Sequence, residues 1–225
     1  MNKYTNLYLT LFFFSIMFYS CSTSRKIDTT LVKVYERDQN IRKAAMELTR
    51  SVSQGNNMLV DSLVKITNEM NQIDEENIII VEDILKNGIP EKLSKESYET
   101  IWLVIDHASL DKQEKYLPII EEMNSREILS KNRYAILYDR IAMKRNRPQR
   151  YGTQTIQIVS DNTMLNYVWP VENPDILDSL RISLNLNTIA EYIKIISEKT
   201  GIQTIYNPEI SIEDINKMKT GILEI

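Results

Sequence analysis

Residues 28–54 read DTTLVKVYERDQNIRKAAMELTRSVSQ. Within them Leu31, Val34, Asp38, Ile41, Ala45, Leu48 and Val52 follow one another at alternating steps of three and four. That is the period of one packed helical stripe. Ser53-Gln54-Gly55-Asn56-Asn57 interrupts it, and the same steps resume at Leu59, Leu63, Ile66, Met70, Ile73, Asn77, Ile80 and Ile84. Gly88 and Pro90 close this second run. Two long amphipathic helices joined by a short polar loop predict an antiparallel αα-hairpin.

Working outward, Ser94 or Ser97 offers a cap for a third helix ending near Ala108. Its Ile101-Trp102-Leu103-Val104-Ile105 is apolar on every side, as in a helix buried within the fold. Asp111 opens a fourth helix in which Pro118 either kinks the axis or marks a new first turn, and Ser130 opens a fifth. The period then falls to two. Gln154, Ile156 and Ile158 alternate with Thr155, Gln157 and Val159, and Leu165, Tyr167 and Trp169 alternate again beyond Ser160-Asp161-Asn162. This predicts a β-hairpin over about 153–169 with a loop of three to four residues. Helices are expected from Pro174 to Leu184 and from Thr188 to Lys199, with Gly201 ending the second. Ile202–Tyr206 is a candidate strand, giving a short C-terminal strand pair, and Ser211 to Asp214 has the form of a capping box. The fold class is mainly α, a bundle-like helical domain over 29–199. A C-terminal extension, 200–225, is expected to pack on it.

The N-terminus carries a different signal. After Lys3, residues 7–19 are almost wholly apolar and end in Phe18-Tyr19-Ser20-Cys21. The run is shorter than the roughly 20 residues of a membrane span and suits the core of a signal peptide. A small residue before a lone cysteine resembles the bacterial lipobox, with Phe18 where Leu is usual. The expectation is a signal peptide over 1–20, lipidation of Cys21, a polar tether over 21–28, and anchoring of the protein to a membrane. Ser22 lacks the Asp of an inner-membrane retention signal, which favours the outer membrane. Removing 20 residues from 225 leaves 205, enough for a sizeable core. The net charge of −4 gives no electrostatic reason to expect nucleic acid. With one cysteine in the chain no internal disulfide forms.

Polar residues on apolar stripes are the candidate site. Asp38 and Asn77 take stripe positions in the two long helices. Either they fix helix register and pair locally, or they line a cleft. His107 is the sole histidine, and its side chain suits proton transfer near neutrality. Asp139-Arg140 lies mid-helix among Tyr and Ile, and each of the two needs a partner from elsewhere in the fold. Lys144, Arg145, Arg147 and Arg150 form a basic run, either a solvated face or an anion receptor. Gln154 shares strand parity with Ile156 and should face inward. One histidine and no HExxH-type spacing give no metal motif, and no cofactor fingerprint is present.

Taken together, Trp102–Ala108 (WLVIDHA), Gln113, Leu117-Pro118, Tyr134–Arg140 (YAILYDR) and Pro148–Gln154 (PQRYGTQ) resemble one bacterial domain family of unknown function. Its signature runs WLVIQHA, DRV and PQxYGTQ, so Asp106 stands where the family has Gln. Asp38-Gln39 with Arg42, and Asp74 with Asn77 before Gly88-Ile89-Pro90, resemble its upstream elements. Trp169-Pro170 through Asn173-Pro174, Arg181, Leu186 and Tyr192 resemble its downstream end. The resemblance spans roughly residues 30–195 and brings no activity with it.

Three functions stay open. The first is a binding or assembly module for a polar envelope ligand such as a peptidoglycan or glycan fragment, using Asp38, Gln39, Arg42, Asn77, Gln113, Gln149, Tyr151 and Gln154. The second is a hydrolase or transferase with His107 as general acid or base, Asp106 or Asp139 orienting it, and Arg140 stabilising negative charge. The third is a structural lipoprotein.

Overall fold

The computed structural model describes the backbone of residues 3–160 and 163–219, and the side chains of 24–52, 54–159 and 163–219. The expected signal peptide and Cys21 therefore lie outside the residues whose side chains are described. The chain is mainly helical with a small three-stranded sheet. It forms two compact units, residues 1–108 and 109–225, and the boundary falls inside the expected domain.

The first unit is made of three helices, α1 (Lys3–Ser53), α2 (Val60–Leu85) and α3 (Lys95–His107). Among the described residues no helix is long and apolar enough to cross a membrane. In α1 the stripe read from the sequence is the buried one, with Leu31, Val34, Asp38 and Ala45 sealed; in α2 only Asn77 of the expected stripe is sealed, and the buried face continues through Ile78, Val81 and Leu85, one residue round from Ile80 and Ile84. Arg37 meets Glu76 while Arg42, further along α1, meets the earlier residue Asp74, so the hairpin is antiparallel. Ser94 caps α3, accepting a hydrogen bond from the Ser97 N–H at 3.1 Å. The N–H of Ser94 in turn donates to Asp28 on α1 at 3.0 Å, and the Tyr98 hydroxyl donates to the Pro90 carbonyl at 2.6 Å. These contacts fix the α2–α3 turn against α1. Helix α3 buries Ile101, Trp102, Val104 and Ile105, as its all-round apolar character predicts.

The second unit opens with the paired helices α4 (Leu110–Ser125) and α5 (Asn132–Lys144). Pro118 sits inside α4, so the helix runs through it and does not restart there. The predicted hairpin is β1 (Thr155–Ser160) with β2 (Thr163–Val168), antiparallel from Thr155 opposite Val168 to Ser160 opposite Thr163. This register leaves residues 161 and 162, outside the described set, between the strands. The connection is thus shorter than the three to four residues expected. Helix α6 (Leu177–Ser183) follows a 3-10 turn, and α7 (Ile189–Thr200) starts at a full capping box between Thr188 and Glu191. Gly201, at φ +71°, ends it in the left-handed conformation that glycine adopts without steric cost. The C-terminal strand β3 (Thr204–Ile205) does not form a pair of its own. It joins β2 in parallel as the third strand of the sheet. Helix α8 (Ile212–Lys219) seats Ile215 against Ile158, Tyr167 and Trp169.

Ser94→Ala removes the side-chain cap of α3. Replacing such a cap costs about 1 kcal/mol, so thermal unfolding of the variant should begin at lower temperature than in the parent chain. An unchanged melting curve would show that the cap does not hold the turn.

Candidate functional site

The first unit brings four charged or ionisable side chains together from its three helices. Asp38, fully buried on α1, accepts from the His107 ring: Nδ1 of the last residue of α3 lies 3.0 Å from Asp38 Oδ1. A carboxylate only accepts, so this contact places the ring proton on Nδ1 when the imidazole is neutral. The Gln39 amide donates to Asp38 Oδ2 at 2.7 Å. Arg42 reaches both aspartates, its Nε at 3.2 and 3.3 Å from the two Asp38 oxygens and its Nη2 at 2.5 Å from Asp74 Oδ1 on α2. The Asp38 side chain is 1% exposed and that of His107 18%, so the carboxylate is inside and the ring at the edge.

Burial pushes the Asp38 carboxyl up. The hydrogen bond and charge of His107, the Arg42 charge and the Gln39 amide outweigh it and hold the group below its ordinary value. At Asp74 the balance tips the other way: burial raises the carboxyl more than Arg42 lowers it. Asn77, one turn along α2 from Asp74, accepts from the guanidinium of Arg37 through Oδ1. Its Nδ2 is buried with no hydrogen-bond partner among the described residues.

The histidine's orienting carboxylate is therefore Asp38. Asp106 had been a candidate, but neighbouring residues on a helix diverge by about 100° and reach different surroundings. Asp74 was missed as a site residue, although Met70, Asp74 and Asn77 share a face at helical spacing and the signal was present.

In the second unit the PQRYGTQ segment is a loop held by buried polar groups. Asp139 of α5 accepts from the backbone N–H of Arg150 (2.8 Å), Tyr151 (3.1 Å) and Thr153 (3.0 Å), and from the Thr153 hydroxyl (2.9 Å). Burial raises its carboxyl, and these donors offset the rise only in part. On the carbonyl side, Arg181 Nη1 donates to the oxygens of Tyr151 (2.7 Å) and Gly152 (2.9 Å), and Nε donates to Asn187 (2.6 Å). The Tyr192 ring lies 4.7 Å from the guanidinium, and its hydroxyl donates to the Thr153 carbonyl at 2.7 Å. Gln149 folds back across the loop, donating to the carbonyls of Gln154 and Trp169 and accepting from the Gln154 N–H. Gln154 faces inward as its parity predicted, its amide donating to the Ile136 carbonyl at 3.3 Å. Gly152 has φ +65°, and a Cβ there would meet Ile189, Leu177 and Arg181 at 3.4–3.5 Å.

This arrangement accounts for Asp139, Gln149 and Gln154 as builders of a loop. Four hydrogen bonds fill the acceptor capacity of Asp139, and the amides of Gln149 and Gln154 bond main chain. Tyr151 is buried, its ring meeting Tyr138 edge-on at 6.0 Å, with Arg150 at 5.7 Å. Gln113 is buried on α4 and Arg140 half-buried on α5. Of the basic run, Arg145 makes a two-pronged pair with Glu114 at 2.8 and 2.6 Å. The nominated residues thus fall into two sets, Asp38, Gln39, Arg42, Asn77 and His107 in the first unit and the others in the second. Arg181 was named only within the resemblance. Its lack of a carboxylate partner in the sequence pattern hid a role that rests on main-chain carbonyls.

A family of unknown function, DUF6624, matches residues 26–205, and the chain belongs to it. No curated protein and no solved structure matches the chain.

Asp139→Asn turns an acceptor-only group into one that presents an N–H2 to the loop's donors. Leaving a buried donor without its acceptor costs about 1–3 kcal/mol. The variant should lose at least that much in a denaturant melt, with protease cleavage appearing between Pro148 and Gln154. Full stability would rule out the carboxylate as the loop's organiser.

Proposed function

We propose that the protein is a lipid-anchored envelope protein, held through Cys21 at the outer membrane, whose first unit binds a polar envelope ligand. The ligand class that fits is a peptidoglycan or other glycan fragment rich in hydroxyl, amide and carboxylate groups. The observation that carries this reading is the grip of buried Asp38 on Nδ1 of a partly exposed ring. It fixes the orientation of His107 and leaves Nε2 for a ligand group. Gln39, Arg42 and Asp74 surround the same carboxylate and add directional polarity. The loop-building residues of the second unit are scaffold in this reading.

A hydrolase or transferase is the second reading, favoured by the same contact. An aspartate on Nδ1 sets the tautomer and orientation that a general acid or base needs.

Because His107 is the sole histidine, its ring protons give isolated NMR signals. Titration with a soluble disaccharide-peptide from peptidoglycan should shift them in the parent chain and leave them unmoved in Asp38→Asn. No shift at millimolar fragment would remove the ligand reading. Release of a cleaved product during the titration would move the assignment to the enzyme. Anchoring is tested separately. Cys21→Ala should abolish fatty-acid labelling and shift the protein from the membrane to the soluble fraction, and retained labelling would overturn the anchor.

A further inference from the structure

The geometry points to a divalent metal site of the zinc kind at Asp38, Asp74 and His107. This rests on the ligand-binding reading above and supplies its chemistry: the ion would carry the open position at which the polar ligand sits. One donor atom from each of the three side chains can be chosen so that all lie within 4.8 Å of one another, and each comes from a different helix. Asp38 is sealed and the other two are half-buried, so this is not a rim of solvated acids. No sequence spacing announced the set, because its members come from three separate segments.

Charge argues the same way. The carboxylates of Asp38 and Asp74 share the guanidinium of Arg42. An imidazole and two carboxylates make a borderline donor set that zinc accepts. The 3.0 Å between His107 Nδ1 and Asp38 Oδ1 is near the ~3.3 Å separating neighbouring ligands on a tetrahedral zinc. The ion would take the place of the proton between them, with the ring's N–H moving to Nε2. Arg42 bonds Asp74 through Oδ1, which leaves Oδ2 for the ion, and it would go on orienting the ligated carboxylate. Three protein ligands leave a fourth position open for water or a ligand. A metal on the imidazole removes it as a proton carrier, so this inference sides against the histidine acid–base reading.

The test is zinc titration of the full chain after treatment with a chelator, followed by calorimetry and, with cobalt in place of zinc, by visible absorption. One equivalent should bind with micromolar or tighter affinity, and cobalt should give the intense bands of a four-coordinate site. His107→Gln and Asp74→Asn should each weaken binding at least 30-fold with helical circular dichroism intact. No binding at 1 mM zinc, or binding untouched by both ligand variants, overturns the proposal. Repeating the peptidoglycan-fragment titration on chelated and zinc-loaded protein separates the two claims. Fragment binding that persists in chelated protein with no zinc equivalent overturns the metal alone. Stoichiometric zinc at these side chains without fragment binding overturns the ligand assignment alone.

Discussion

A carboxylate taken out of water must be met by donors or cations, and each unit of this protein is organised around one such group. In the first unit the sealed aspartate is Asp38, and what meets it is an imidazole, a guanidinium and an amide from side chains. In the second it is Asp139, and what meets it is three main-chain N–H groups and a hydroxyl. The difference decides what each centre can do. Main-chain donors are fixed by the loop they belong to, and Asp139 is saturated by them. Side-chain donors can rearrange. One of those at Asp38, the imidazole, keeps a second nitrogen of its own.

The loop of the second unit carries a charge pattern that no direct pair reveals. Asp139 holds its N–H face and Arg181 its carbonyl face, so the Tyr151–Gly152 stretch lies between a buried anion and a buried cation. The peptide dipoles align with that field, and each charge is solvated by backbone instead of by the other. Gly152 is needed because the turn between the two takes a positive φ and has side chains within contact distance.

Much of the fold was legible in the amino-acid order. Alternating steps of three and four gave α1 and α2, the apolar Ile101–Ile105 run gave the burial of α3, and the change to a period of two gave the hairpin. Strand parity even gave the inward turn of Gln154. Periodicity reports which face a residue occupies and not what lies opposite, and this is where reading stopped. Asp38 was seen to be out of place, yet His107 as its partner depends on how α3 returns along α1. Asp74 shares the face of Met70 and Asn77, yet the Arg42 guanidinium it meets is set by how α1 lies against that face. Arg181 bonds carbonyl oxygens, which every residue owns and no sequence pattern marks. Membership of a family without a known activity adds extent but no chemistry.

One consequence lies in the continuity of α1. Described side chains run along it from Ser24 to Asp38 without a break, a helical rise of about 21 Å. A rod of that kind has no joint in which to lose motion. Asp28, which accepts from the Ser94 N–H at the start of α3, and Asp38, which holds His107 at its end, therefore ride on one uninterrupted helix, and their spacing along it is set by helical rise alone.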